Sequence, residues 1–301
     1  MMWDRVARLI GDSNLEKLAR KTVGVVGVGS GGGFVAQSLA MSGVGGFVLV
    51  DDDTLEAHNV VRHVADHRAV GQPKVDVVAE LIRQRNPDAR IETHRGRIEA
   101  HMDALNGLDL LIVGVDGEQV KYILNESCLA RHLPAVYAGV YERGEGGDAV
   151  LIRPYDGPCY ACWAAELREG LQAIGQDDGG ALDYGMIGAE GTLEAEPGLW
   201  LHVVRVASAQ ADIALRYLLG TDGDLPGNTV ILANTALEII EGTQTPPYGA
   251  VWVDVQRDPG CLVCGATSRD ESAAQMSLDD LAQHAGIEIN ATDADESAGA
   301  S

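Results

Sequence analysis

Apolar residues fall into two alternating rhythms along the first half of this chain. Trp3, Val6, Leu9, Ile10, Leu15 and Leu18 stand at helical spacing with Gly11 between them, which predicts two short helices over residues 3–20. The run VGVVGVG at 23–29 reads as a buried strand, GSGGG as a turn, and FVAQSLAMSGVG at 34–45 as a helix ending on glycines. FVLVDDD at 47–53 is a second buried strand running into three acids. KVDVVAELIRQRN at 74–86 is a helix stopped by Pro87, and RIETHRGRI at 90–98 is read as a strand. LDLLIVGVD at 108–116 is another buried strand, followed by the helix QVKYILNESCLARHL and the strand AVYAGVY. Strand and helix alternate, and the strands are apolar throughout. That pattern predicts a parallel sheet covered on both faces.

Beyond Arg153 the rhythm changes. GPCYACW at 157–163 opens a compact element, and residues 170–198 are rich in Gly, Asp and Glu with little periodicity, which predicts a mobile crossover loop. WLHVVRVASAQADIALRYLLG is a long helix, NTVILANTALEII and PYGAVWVDVQ read as strands, and PGCLVCG closes the folded part. From about Asp270 onward a weak helix, SLDDLAQHAG, precedes a tail expected to be disordered.

Composition narrows the function classes. The chain has 301 residues, 46% of them apolar, enough for a sizeable core. It has no apolar run of about eighteen residues, and its charged N-terminus lacks a signal-peptide core, so a soluble cytoplasmic protein is expected. The net charge of −23 repels nucleic-acid backbones and anionic membranes, which disfavours both as partners. Only four lysines are present, so one lying in a ligand motif stands out.

Gly27, Gly29 and Gly32 form G-x-G-x-x-G between a strand and a helix, where bare backbone N–H groups can approach a phosphate. Asp51 follows about twenty residues on, placed for ribose hydroxyls. The motif suits NAD as well as ATP, and a plain glycine-rich turn is a third reading. Asn59 and Arg62 come just after the acids, Lys74 opens the next helix, and Asp116 ends a later strand. Cations converging on a terminal phosphate suit nucleotidyl transfer better than hydride transfer. Asp116 suits a magnesium that bridges phosphate oxygens. Singly these residues read as surface cations and a helix cap; together, in this order, they favour a triphosphate site. His58, His63 and His67 flank the motif and are candidate ligand contacts, with solvated loop histidines the favoured reading.

The run VGVVGVGSGGG, the acids DDD, then NVVRH, VGQPKV, VGVDG, GPCYAC and PGCLVCG resemble the MoeB/ThiF/HesA family, relatives of ubiquitin-activating enzymes, over roughly residues 5–265. The resemblance implies a Rossmann-like, doubly wound, mostly parallel α/β sheet with a C-terminal mixed or antiparallel extension. It also implies MgATP-dependent adenylation of the C-terminal glycine of a ubiquitin-like or sulfur-carrier protein ending in Gly-Gly. Gly29, Ser30 and Gly32 fall on the family's nucleotide loop, Asp51 and Asp53 on the ribose side, Asn59, Arg62 and Lys74 on the phosphates, and Asp116 on magnesium. A homodimer is implied, with Arg8, or failing that Arg5, reaching across it. Ser30 departs from a usual glycine and Gly117 from a usual asparagine. The expected division is N-terminal helices at 1–22 and a nucleotide-binding domain at 23–153. The crossover loop, long helix, strands and cysteine region of the same domain follow at 154–269, then an acidic tail at 270–301.

Cys159 and Cys162, with Cys261 and Cys264, form two C-x-x-C pairs whose four thiolates suit tetrahedral structural zinc. The family carries a zinc site at these places. Residues 163–200 contain no cysteine, and Cys128 stands at helical spacing with Leu124 and Leu129, as a core residue would. Adenylation without a covalent enzyme thioester is therefore expected. Three rival readings stay open: an NAD-dependent oxidoreductase, adenylation of a tRNA base or peptide carboxylate, and a non-catalytic scaffold.

Overall fold

The structure, a computed structural model, describes residues 2–174, 186–187, 193–194 and 198–265. The chain divides into two compact units, Met1–Arg257 and Asp258–Ser301. In the first, α1 (Asp4–Ile10) and α2 (Asp12–Arg20) meet at Gly11, whose φ of 87° turns the chain between them. Then follow β1 (Thr22–Val26), α3 (Ser30–Met41), β2 (Gly46–Asp51), α4 (Lys74–Arg85), β3 (Arg90–Arg95), β4 (Leu110–Val113), α5 (Glu118–Arg131), β5 (Ala135–Val140) and β6 (Gly146–Ile152). Next come α6 (Tyr160–Ile174), two-residue strands β7 (Met186–Ile187) and β8 (Leu193–Glu194), and α7 (Trp200–Leu219). Strands β9 (Thr229–Ala233), β10 (Leu237–Ile240), β11 (Thr243–Thr245) and β12 (Ala250–Val253) complete the unit.

Eight strands form one sheet in the order β12-β9-β6-β5-β4-β1-β2-β3. From β3 to β5 every pairing is parallel; β5–β6, β6–β9 and β9–β12 are antiparallel. The strand period of two sends alternate residues to opposite faces. Val25, Ile112, Val136 and Leu151 pack beneath α3, α4 and α7. Their neighbours Val26, Val113, Tyr137 and Ile152 pack with Leu124 of α5 and with Tyr160 and Trp163 of α6. Both faces are thus dry, which is why these strands read as unbroken apolar runs. Gln210, a buried polar residue on α7, donates to the carbonyls of Val113 and Val136 at 3.1 and 2.9 Å and ties that helix to the ends of β4 and β5. Left unpaired, such groups would cost about 1–3 kcal/mol each.

Three elements differ from the sequence reading. Helix α6 runs to Ile174, through the start of the segment read as a loop. Strand β6 begins with Gly146 and Gly147, where an added Cβ would come within 2.5 Å of Leu232 O, or of Gly139 O and Val206, so tight backbone packing replaces apolar side chains. The run at 228–240 splits into β9 and β10 rather than one strand. Most of the crossover segment at 170–198, and the helix and tail expected beyond Asp270, lie outside the described residues. Among the described residues no helix is long and apolar enough to cross a membrane.

Candidate functional site

The strand order reverses between β1 and β4, and a crevice at such a point lies outside the carboxyl ends of the strands. Gly27 leaves β1 with φ 83°, a left-handed conformation, and its N–H donates to Val50 O at 2.8 Å. A Cβ on Gly32 would sit 1.9 Å from Gly27 O, so helix α3 starts pressed against the turn. Gly29 differs: nothing lies within 4 Å of its missing Cβ. It is the N-cap of α3 and offers no side-chain cap, which leaves first-turn N–H groups available to an anion.

Asp51 braces this turn, accepting from Val28 N–H at 2.7 Å and from Asp53 N–H at 2.8 Å. Burial pushes its carboxyl above the usual range, opposed by those two bonds and by Lys74. Lys74, buried at the start of α4, reaches Asp53 at 2.5 Å. An incoming phosphate therefore competes with an acid for the same ammonium.

A cleft of about 280 Å³ opens here, lined by Gly27, Gly29, Asp51, Asp53, Lys74 and Asp116 among others. Asp116 is exposed and has no partner among the described residues. Val26, Val115, Ile98 and Val120 give the cleft an apolar wall, and the glycines leave space that Cβ atoms would fill. The cleft thus joins an apolar wall, bare N–H groups, the cations Lys74 and Arg97 and the unpaired Asp116, a lining that can receive a phosphate-bearing ligand.

Ser30, Gly32, Asn59, Arg62 and Arg8 do not line this cleft. Ser30 and Gly32 lie in the first turn of α3. Asn59 and Arg62 belong to a 3₁₀ turn, Ala57–Arg62, where the Asn59 side chain accepts from Glu56 N–H at 3.0 Å to close a capping box. Arg8 is exposed and pairs with Asp4 on its own helix at 3.0 Å. Conversely, Arg97 lines the cleft, 3.6 Å from Asp52. The sequence reading places it inside a strand at 90–98, whereas β3 ends at Arg95 and Arg97 follows its C-terminal end. His63 is not a solvated loop residue: it is buried against Val28.

The two cysteine pairs lie one in each compact unit. Cys159 and Cys162 are buried with sulfurs 3.8 Å apart. That is the edge of a tetrahedron whose metal–sulfur bonds are about 2.3 Å. Cys261 and Cys264 are also buried, and Val263 N–H points to Cys261 Sγ at 3.4 Å, a contact that stabilises a thiolate. Each pair offers two buried sulfur donors of the kind that ligate a metal ion. All five cysteines are free of disulfides. Burial pushes the fifth, Cys128, up to about 12, far from a nucleophile's range.

This chain matches the ThiF family over residues 4–250. It belongs to that family. Among curated ThiF-like relatives it is 31% identical to the SAMP-activating enzyme E1 of Haloferax volcanii over 259 residues, 85% of this chain and 84% of that one. It is 30% identical to the sulfur carrier protein adenylyltransferase of Thermus thermophilus over 263 residues, 85% of this chain and 86% of that one. Among solved structures, E. coli MccB with AMPCPP and SeMet MccA shares the ThiF-type fold, with a TM-score of 0.67 at 19% identity over 88% of this chain and 74% of that one.

Proposed function

We propose that this ThiF-family adenylyltransferase uses MgATP to adenylate the C-terminal glycine carboxylate of a ubiquitin-like or sulfur-carrier protein ending in Gly-Gly. The observation that carries the reading is the single cleft shared by the glycine turn, Asp51, Lys74 and Asp116. In the reaction a carboxylate oxygen attacks the α-phosphorus. A carboxyl–phosphorus bond forms, the α–β phosphoanhydride bond breaks, and its electron pair leaves with pyrophosphate. The carboxylate is already ionised, so no proton transfer is needed.

The N–H groups of the Gly29–Ser30 turn cradle the phosphates, with Gly27 and Gly32 shaping the turn. Asp51 and Asp53 accept from ribose hydroxyls through lone pairs not already engaged. Lys74 takes up the charge that builds on the leaving pyrophosphate, joined by Asn59 and Arg62 from the adjoining 3₁₀ turn. Magnesium bound with the nucleotide would neutralise phosphate oxygens, and Asp116 is the carboxylate to hold it. Arg8 would act across a homodimer. Cys159, Cys162, Cys261 and Cys264 would share one structural zinc, with a folding role. With Cys128 buried and its thiol held protonated, no enzyme thioester forms; the acyl group passes to an outside nucleophile. Five cysteines outside any disulfide suit a reducing compartment, the cytoplasm.

Intact-mass spectrometry tests this. Incubating the chain with MgATP and a carrier ending in Gly-Gly should give carrier heavier by one adenylyl group, lost on adding an amine or thiol. A carrier of unchanged mass beside an adenylated tRNA base or peptide would move the substrate class. No adenylation of any carboxylate, with NAD bound instead, would overturn the reading.

A further inference from the structure

Val28 stands in the middle of the glycine turn, and side chains hold both of its backbone polar groups. Its N–H donates to Asp51 Oδ2 at 2.7 Å, and its carbonyl lies 3.0 Å from His63 Nε2. Ala65 N–H in turn donates to His63 Nδ1 at 3.0 Å. These contacts define the tautomer. Nδ1 must be unprotonated to accept from Ala65, so Nε2 carries the hydrogen and donates to Val28. The ring is 7% exposed, so neither contact has water as a ready substitute. His63 directly follows the 3₁₀ turn that ends at Arg62 and thus joins that turn to the phosphate loop.

We infer that His63 is a positioning residue of the nucleotide site, holding the glycine turn in its phosphate-binding form only while its imidazole is neutral. This rests on the nucleotide reading proposed above. Protonation would place a hydrogen on Nδ1 facing the Ala65 N–H, two donors in contact. The ring would then turn or withdraw, and Val28 would lose its brace. The charged groups that act on His63 are Lys74 at the start of α4 and Asp51 at the end of β2. Burial holds the imidazole below its usual value of 6.5. Lys74 acts in the same sense, while the Val28 carbonyl and Asp51 oppose it. If the neutral form binds nucleotide better, nucleotide must by linkage lower the His63 titration midpoint further.

Calorimetric titration of the full chain with MgATP, between about pH 7.5 and pH 5, tests this with His63→Gln and His63→Ala. Glutamine keeps one donor and one acceptor but cannot titrate. At the upper pH His63→Gln should bind within about threefold of wild type, and His63→Ala about tenfold more weakly. Toward the lower pH wild type should lose affinity relative to His63→Gln, by about twofold once the pH reaches the His63 midpoint and more below it, a comparison that cancels the titration of ATP itself. A wild-type to glutamine ratio constant with pH, or an alanine variant that binds like wild type, overturns the inference. Wild type that binds no ATP at any pH overturns the functional reading and this inference with it. Should neither variant fold, ¹⁵N-histidine NMR of wild type decides. One imidazole should be in the Nε2–H form with a depressed midpoint that ATP lowers further. An Nδ1–H form at His63, or a midpoint ATP leaves alone, overturns it.

Discussion

Gly29 and Gly32 stand three residues apart in one turn, yet alanine should fail at them for different reasons. A Cβ at Gly32 would lie 1.9 Å from Gly27 O, against an ordinary contact of 3.4–4 Å, so something must move by more than an ångström. The carbonyl has little room to retreat. Gly27 N is bonded to Val50 O at 2.8 Å, and a Cβ on Gly114 would already be 2.5 Å from the same oxygen. Overpacking of this kind costs about 1–3 kcal/mol, which for a unit of this size lowers Tm by about 3–10 °C. Gly29→Ala meets nothing within 4 Å and has a negative φ of −68°, so its Tm should stay within about 2 °C of wild type. Its new methyl group nevertheless enters the cleft and should weaken MgATP binding at least about tenfold. Differential scanning calorimetry and ATP titration on both variants separate the two effects. Wild-type ATP affinity in Gly29→Ala, or a wild-type melt in Gly32→Ala, would refute the division of labour.

Three further outcomes are expected. Chelation, or Cys261→Ser, should lower Tm and release about one zinc per chain; an unchanged melt with no zinc by elemental analysis would defeat the metal assignment. Cys128→Ala should keep adenylation within about twofold while costing about 1 kcal/mol of stability, because the thiol is core; a carrier thioester that vanishes in this variant would contradict the account. Because the folded midpoint of His63 is depressed, its stabilising contribution is fully present above the unfolded value of 6.5. It should decline as pH falls from there through the folded midpoint, at a slope of up to about 1.4 kcal/mol per pH unit. Urea midpoints should fall less steeply in His63→Gln over that window, and identical slopes would count against a buried neutral imidazole.

The parallel half of the sheet was legible because its strands are buried on both faces and its helices carry clear stops, such as Asn86 before Pro87. Strand β6 was not, since Gly146, Gly147 and Asp148 show neither an apolar run nor alternation. Only the approach of β9 and α7 explains the glycines there. Helix α6 was hidden in the same way: the cysteine knuckle drew notice, while the small residues following Trp163 carry a weak period. At the cleft, Gly27, Gly29, Asp51, Lys74 and Asp116 could be picked from motif order alone. Arg97 needed the topology, since its place at the cleft follows from β3 lying beside β2. His63 needed the tertiary fold. A histidine among His58, His67 and several charged residues looks solvated until the 3₁₀ turn is seen beside the glycine loop.

Pyrophosphate exchange into ATP, dependent on a carrier ending in Gly-Gly, tests the central claim most directly. Wild type should catalyse it, and Asp116→Ala should lose on the order of a hundredfold or more while melting like wild type, since Asp116 is exposed and unpaired among the described residues. Undiminished exchange in Asp116→Ala, or none in wild type with any such carrier, would contradict it.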